Sequence, residues 1–283
     1  MDSFLDKFVS FVKQQGSSHI TTEIALQWAT RENAQTITSA KRLQKIRGFA
    51  QYRANTDMRT EVPSRGLIPR PSHRNAPYIY TEGEIKRLIA AAKTLPSAVG
   101  LLPYTYSTLL GLFAVTGLRH SEAIGLNRTD VDLRQGLLTI RETKFGKSRL
   151  VPIHKSTQSA LEEYARRRDI IHRQPKAPSF FLSDSGKRVA SRTLNKVFCE
   201  LSHKIGLRGP SDRRGPRLHD LRHTFVVRTL VRWYRAGVDV DRHMPELSTY
   251  IGHARVISSY WYISAVPELL RLAIRRLERG ISS

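Results

Sequence analysis

Apolar positions recur every three or four residues along most of this chain, a period that predicts a mainly helical protein. Phe4, Leu5, Phe8, Val9 and Val12 form one stripe, and Gly16 is placed to stop it. Thr22-Glu23 opens a second helix with Ile24, Ala25, Trp28 and Ala29 inward. A third starts near Ser39, with Leu43, Ile46, Phe49 and Ala50 inward. The pattern breaks over 62–77, where Pro63, Pro69, Pro71 and Pro77 favour an extended connector. It resumes at Thr81-Glu82-Gly83-Glu84, which has capping-box spacing ahead of Ile85, Leu88, Ile89 and Ala92. The most apolar run, with Leu109, Leu110, Leu112, Phe113 and Val115, ends at Thr116-Gly117-Leu118-Arg119, and Ser121-Glu122 opens the next helix. Two strands are expected at 137–141 and 149–153, joined by a turn that contains Gly146. Helices follow from Ser156, from Ser191 to a stop at Gly206, and from Pro267 to the C-terminal region, the last closing on Arg275, Arg276 and Arg279. The expected class is mainly α with a small antiparallel β-sheet (α+β). Its expected organisation is a helical domain at 1–65, a basic linker at 66–77 and a larger domain at 78–283.

Charge changes the picture most. Among 283 residues, 47 Lys+Arg face 24 Asp+Glu, a net charge of +23 and a pI near 10.7. The basic residues are spread along the chain, which suits a broad surface for a polyanion whose binding releases counterions. An anionic membrane is the rival partner, but no apolar run approaches the roughly 20 residues a spanning helix needs. The third helix carries Lys41, Arg42, Lys45, Arg47 and Arg53 on its outer face, with few acidic partners nearby in sequence. Arg65, Arg70, His73 and Arg74 interleave with the prolines of the linker, and the hairpin tip presents Lys144 and Lys147. All are candidates to track phosphates, against the simpler reading of a solvated face. Cys199 is the single cysteine, so no internal disulfide is possible and a reducing cytoplasm fits. The acidic start Met1-Asp2-Ser3 does not read as a signal peptide.

The candidate chemistry is densest over 218–262. His219, Arg222 and His223 sit three and four apart, on one face of a helix, followed by Gly252-His253 and by Tyr260-Trp261-Tyr262. A metal pair at His219 and His223 is possible by spacing, but no third ligand stands at convincing spacing and Arg222 between them would oppose a dication. A metal-free attack on a phosphodiester needs fixed cations facing the non-bridging oxygens, and the planar arginine fork suits that task. Arg119, behind a buried helix, and Arg222 are the candidates. A tyrosine hydroxyl, with an ordinary pKa near 10, needs a base or a cationic setting to attack, and His219 is placed to take its proton. Lys144 could protonate the departing 5′-oxygen, and His253 could donate to the phosphate. Either Tyr260 or Tyr262 could be the nucleophile on these grounds.

The ordered set Thr116-Gly117-Leu118-Arg119-His120-Ser121-Glu122, Lys144, His219-Asp220-Leu221-Arg222-His223, Gly252-His253 and Tyr262 resembles the signature of the tyrosine recombinases, the phage integrase family. The resemblance covers about 78–270. It implies that Arg119 and Arg222 bind phosphate, Lys144 is the general acid, His219 transfers a proton and His253 donates to the phosphate. Tyr262, nine residues past His253, would be the nucleophile in preference to Tyr260. Glu122 and His223 match supporting positions. The resemblance further implies a helical core-binding domain at the N-terminus, the two domains closing on DNA from opposite sides. In one respect the chain departs from many relatives: the interval from Arg222 to Gly252 is longer, which bears on how His253 is positioned.

What the resemblance implies is a site-specific DNA recombinase that forms a 3′-phosphotyrosyl link and needs neither metal, ATP nor another cofactor. Its partners would be double-stranded DNA and further copies of the chain, as a tetramer joined through the C-terminal helix. Accessory DNA-bending or partner recombinase proteins could set direction. Two alternatives remain: a tyrosine-type topoisomerase, separable by supercoil relaxation as a monomer, and a non-catalytic DNA-binding protein, separable by site-specific binding without cleavage.

Overall fold

Side-chain caps at Thr21, Thr81, His154 and Asp239 mark the starts of four helices. In the computed structural model, which describes residues 4–32, 35–69, 76–141, 148–174, 177–212, 215–253 and 255–281, the chain divides into two compact units, 1–75 and 76–283. Arg70, Arg74, Lys144 and Lys147 lie outside the described residues.

The first unit holds α1 (Phe4–Gln14), α2 (Thr22–Thr30) and α3 (Thr36–Ala54). Thr21 caps α2 by accepting from the Ile24 amide at 3.2 Å. Phe8, Ala25, Trp28, Leu43, Ile46 and Ala50 form the core, and Trp28 meets Phe4 and Phe8 edge-on with ring centroids 4.7 and 5.4 Å apart. Ile68, placed in the linker by its proline-rich surroundings, packs against this core instead. The connector thus begins as part of the first unit.

The second unit is organised around α5 (Leu102–Thr116), which buries Thr105, Tyr106, Leu109, Leu110, Leu112, Phe113 and Thr116. A helix apolar on nearly every side has to be enclosed. It is packed by α4 (Glu82–Ala92), α7 (Lys155–Ile171) and α9 (Asp220–Arg235). Both bonds of the Thr81–Glu84 capping box are present at the start of α4. The short α6 (His120–Gly125) follows against α5, α8 (Ser191–Lys204) packs on α4 and α6, and an antiparallel sheet of β1 (Val131–Asp132), β2 (Leu137–Ile140) and β3 (Arg149–Pro152) completes this part. The β2–β3 register pairs Leu138 with Val151 and Ile140 with Arg149, so Leu138, Ile140 and Val151 face the core while Leu150 stays exposed. The two-residue β1 is too short to leave an alternation in the sequence. A second cluster of apolar side chains joins α9 to α10 (Val240–Ile251), α11 (Ile257–Ala265) and α12 (Pro267–Ile281) through Val226, Leu230, Met244, Ile251, Tyr262 and Leu269.

Two features hold α9 in place. Tyr80, buried, receives the Arg228 guanidinium on its carbonyl, donates its amide to Thr224 Oγ1 at 2.9 Å and its hydroxyl to the Arg217 carbonyl at 3.0 Å. At the helix start, Asp220 accepts from the Arg217 amide and guanidinium, both at 2.8 Å. His219 occupies the position just before the first turn of α9.

Candidate active site

Two glycines, at the ends of two helices, build the floor of the site. Gly117 ends α5 at φ +61° and Gly252 ends α10 at φ +71°, the left-handed region that disfavours side chains. Each turns its carbonyl toward an arginine. Arg222 Nη1 donates to the Gly117 carbonyl at 2.7 Å, and Arg119 Nη2 donates to the Gly252 carbonyl at 2.6 Å. A Cβ at Gly117 would stand 2.6 Å from Phe225 Cδ1, and one at Gly252 would stand 2.7 Å from Arg149 Cζ. The conformation and the space both require glycine.

Arg222 is only 2 % exposed, and among the described residues its Nη2 has no hydrogen-bond partner. Burial, and then the charge of Arg119, push its pKa down to about 10; nearby Tyr262 and Glu122 push the other way. The group remains cationic at neutral pH, with a donor left over for an anion. A buried charge left this way is costly unless something occupies it.

Arg119 is oriented by Glu122. The Glu122 carboxylate accepts from the Arg119 amide at 3.0 Å and from Nη1 at 2.6 Å, and Arg149 grips both its oxygens at 3.1 and 2.9 Å. Arg149 Nε donates in turn to the Tyr250 carbonyl at 2.9 Å. One strand residue thereby ties β3, the start of α6 and the end of α10 together. Burial raises the Glu122 pKa, but the hydrogen bonds and charge of Arg149, and then the bonds from Arg119, outweigh it and the net shift is downward. Two cations share one anion, so the cluster keeps a positive surplus. Gly252→Ala forces a side chain into this cluster. It should destabilise the fold by about 1–3 kcal/mol, through left-handed strain and overlap together. Gly237→Ala, at φ +70° with nothing within 4 Å, should cost the strain alone, so denaturant titration of the two variants isolates the overlap.

The histidines divide. His253 follows the Gly252 turn and shares a 2.8 Å hydrogen bond between Nδ1 and Ser259 Oγ; its ring lies parallel to that of Tyr262, 6.4 Å between centroids. The stretch before it is occupied by α10, capped by Asp239. His223, 4 % exposed, has Nδ1 2.7 Å from the Tyr262 hydroxyl, itself on a residue 2 % exposed. The His219 ring meets the His223 ring edge-on at 4.8 Å. Partial burial, then the charge of Arg222, push the His219 pKa down to about 4. Its outer side is exposed, so solvent screens part of that effect. With a folded pKa below the ordinary 6.5, the unfolded chain binds a proton that the folded chain refuses. The associated stability is present above pH 6.5 and is lost as pH falls toward 4. His219→Gln should flatten the rise of melting temperature across that window, read by calorimetry; an unchanged slope would mean that other groups carry it.

Tyr260, the other tyrosine, points elsewhere and donates to Asp241 Oδ1 at 2.9 Å. Desolvation and that carboxylate raise its phenol pKa, the wrong direction for a nucleophile. Of the remaining candidates, Lys41, Lys45 and Arg65 are exposed on the first unit. Arg42 does have an acidic partner, Glu32 at 3.1 Å, so the outer face of α3 is less free of acids than the sequence indicates. Arg149 and Asp220 carry little local sign of their roles: the first is a cation opening a strand, and the second lies inside a motif dominated by basic residues. Among the described residues no three His, Cys, Asp or Glu side chains gather as a metal-binding group, and no helix is long and apolar enough to cross a membrane.

The family model described as the phage integrase family matches residues 79–268. A protein of Sinorhizobium fredii named as integrase/recombinase y4rB is 47% identical over 277 residues, covering 96% of this chain and 88% of that one. Tyrosine recombinase XerC of Chlamydia caviae is 28% identical over 234 residues, covering 82% of this chain and 69% of its own length. In fold, the chain is similar to XerH site-specific recombinase bound to palindromic difH substrate in a post-cleavage complex. The TM-score is 0.67 at 19% identity, covering 99% of this chain and 77% of that one. It is similar also to the Tn1549 transposon integrase in complex with transposon right end DNA. There the TM-score is 0.65 at 16% identity, covering 97% of this chain and 92% of that one.

Proposed function

The chain belongs to the phage integrase family of tyrosine recombinases, and on that footing we propose that it cuts and rejoins DNA at specific sites through a 3′-phosphotyrosyl intermediate. The observation that carries the proposal is the gathering of Arg119, Arg222, His253 and Tyr262 around the two glycine turns, with a buried guanidinium donor that has no partner among the described residues. Arg119 and Arg222 would hold the scissile phosphate and offset the charge that grows on its oxygens. His219, neutral at working pH, and His253 would add hydrogen bonds. The Tyr262 oxygen attacks phosphorus, the bond to the 5′-oxygen breaks, and Lys144 supplies that oxygen's proton. A 5′-hydroxyl from a partner duplex reverses the steps. The covalent link conserves the bond energy, so neither metal, ATP nor another cofactor enters the reaction.

Pairing two duplexes calls for four copies. Leu270, Ile274 and Leu277 are exposed on α12 while Leu269 is buried beside α11, which supports contacts between copies through that helix. The basic residues of the first unit, Lys41, Arg42, Lys45 and Arg65 with Arg70 and Arg74 beyond them, would track the duplex, as would Lys147. Accessory DNA-bending or partner recombinase proteins would set direction, and the setting would be the cytoplasm. The test uses DNA flanking the gene, in chelator and without nucleotide. Strands with free 5′-hydroxyls and protein-blocked 3′ ends are expected. Ends carrying 5′-phosphate and 3′-hydroxyl would mark a hydrolytic nuclease and overturn the proposal.

A further inference from the structure

Transesterification at Tyr262 leaves one proton without a destination: the phenol must lose it before or during attack, and an acceptor has to stand at its oxygen. His219 is the acceptor that motif position suggests. Yet the histidine whose nitrogen reaches the hydroxyl is His223, Nδ1 to Oη 2.7 Å. We infer that His223 is the proton acceptor for Tyr262, and the donor that returns the proton when the tyrosine leaves.

Three further observations fit this assignment. If Nδ1 accepts from the phenol, the neutral ring carries its proton on Nε2, and Nε2 stands 3.9 Å from Asp220 Oδ1. That carboxylate is buried and held in place by Arg217, so it favours that tautomer and steadies the imidazolium formed later. His253 is engaged differently, its Nδ1 sharing a hydrogen bond with Ser259. His219 has its pKa pushed down to about 4, first by burial and then by Arg222, which makes it a weak base. Among the described residues, the groups around His223 include Asp220 and the His219 ring on the α9 side, and Tyr262 and Trp261 from α11. Arg222, near enough for Tyr262 to act on its charge, stabilises the phenolate in return.

The step balances. The Oη–H bond breaks as Nδ1 gains the proton, Oη forms its bond to phosphorus, and the bond from phosphorus to the 5′-oxygen breaks as that oxygen takes the proton that the proposed function assigns to Lys144. On rejoining, the incoming 5′-hydroxyl gives its proton back to the Lys144 amine as its oxygen displaces Oη, which takes the other proton back from Nδ1. His223 ends as it began.

This inference rests on Tyr262 being the nucleophile, and the experiment separates the two. Single-turnover adduct formation is measured on a nicked duplex with protein in excess, so that the rate constant does not depend on how much protein is folded. His223→Ala should slow it by about 10²–10⁴-fold, the usual worth of a positioned base. His223→Asn, which can accept the hydrogen bond but not the proton, should be equally slow. Installing a ring-fluorinated, more acidic tyrosine at position 262 should recover about tenfold or more in His223→Ala and much less with His223 intact. Wild-type rates in His223→Ala would overturn the inference, and rescue by His223→Asn would reduce His223 to a positioning residue. A variant faster than wild type would make the contact a latch, which also overturns it. If the unaltered chain forms no adduct, the proposed function itself fails.

Discussion

Arg222→Ala is expected to slow covalent attack on DNA by about 10³–10⁵-fold, the range for losing an arginine that faces a transferring phosphoryl group. The reason is visible in the geometry of the site. The guanidinium is buried, one nitrogen is committed to the Gly117 carbonyl, and the other has no partner among the described residues. Its desolvation cost is already present before DNA arrives, so a phosphate that meets Nη2 gains a charge-assisted bond with little reorganisation. Removing the side chain should leave folding largely intact, because a poorly satisfied buried charge contributes little to stability. Arg222→Lys keeps the charge but loses the fork, and should recover only part of the rate. Adduct formation and thermal melting measured side by side check both halves. A proportional fall in the two would instead make Arg222 a structural residue.

Glu122→Ala should act in the opposite proportion. Its carboxylate, 6% exposed, is shared by Arg119 and Arg149. Without it two guanidinium groups face each other in a partly buried cluster, and breaking such a network costs about 3–5 kcal/mol. Arg119 also loses the bonds that aim it, so cleavage should fall with stability. Glu122→Gln preserves the shape and one acceptor, and should lie between. Denaturant unfolding gives the first quantity directly. A loss under about 1 kcal/mol, the worth of a surface pair, would show that the cluster is solvated and loosely held.

Much of this site was legible in the sequence because local rules and chemistry coincide there. Gly117 and Gly252 end helices, as glycine commonly does, and the same turns deliver the carbonyls that hold Arg222 and Arg119. Thr81 and Glu84 announced α4 through their capping box. Other parts left no local trace. Pro245 lies inside α10, where a proline argues against helix, although Asp239 caps the helix and Met244, Leu247 and Ile251 bury its inner face. Arg149 and Glu122 are 27 residues apart and His223 and Tyr262 are 39 apart, so only the fold reveals either pair. The motif made His219 and His223 equivalent in face, whereas the start of α9 at Asp220 leaves His219 at the solvent edge and buries His223 against the tyrosine.

Tyr262 is the residue proposed to become covalently joined to DNA. The direct measurement is mass spectrometry of the peptide left after nuclease and protease digestion of a complex trapped on a nicked duplex. The nucleotide is predicted on Tyr262, present in wild type and in Tyr260→Phe and absent in Tyr262→Phe. A nucleotide on Tyr260, or an adduct that survives Tyr262→Phe, would mean that Tyr262 is not the nucleophile.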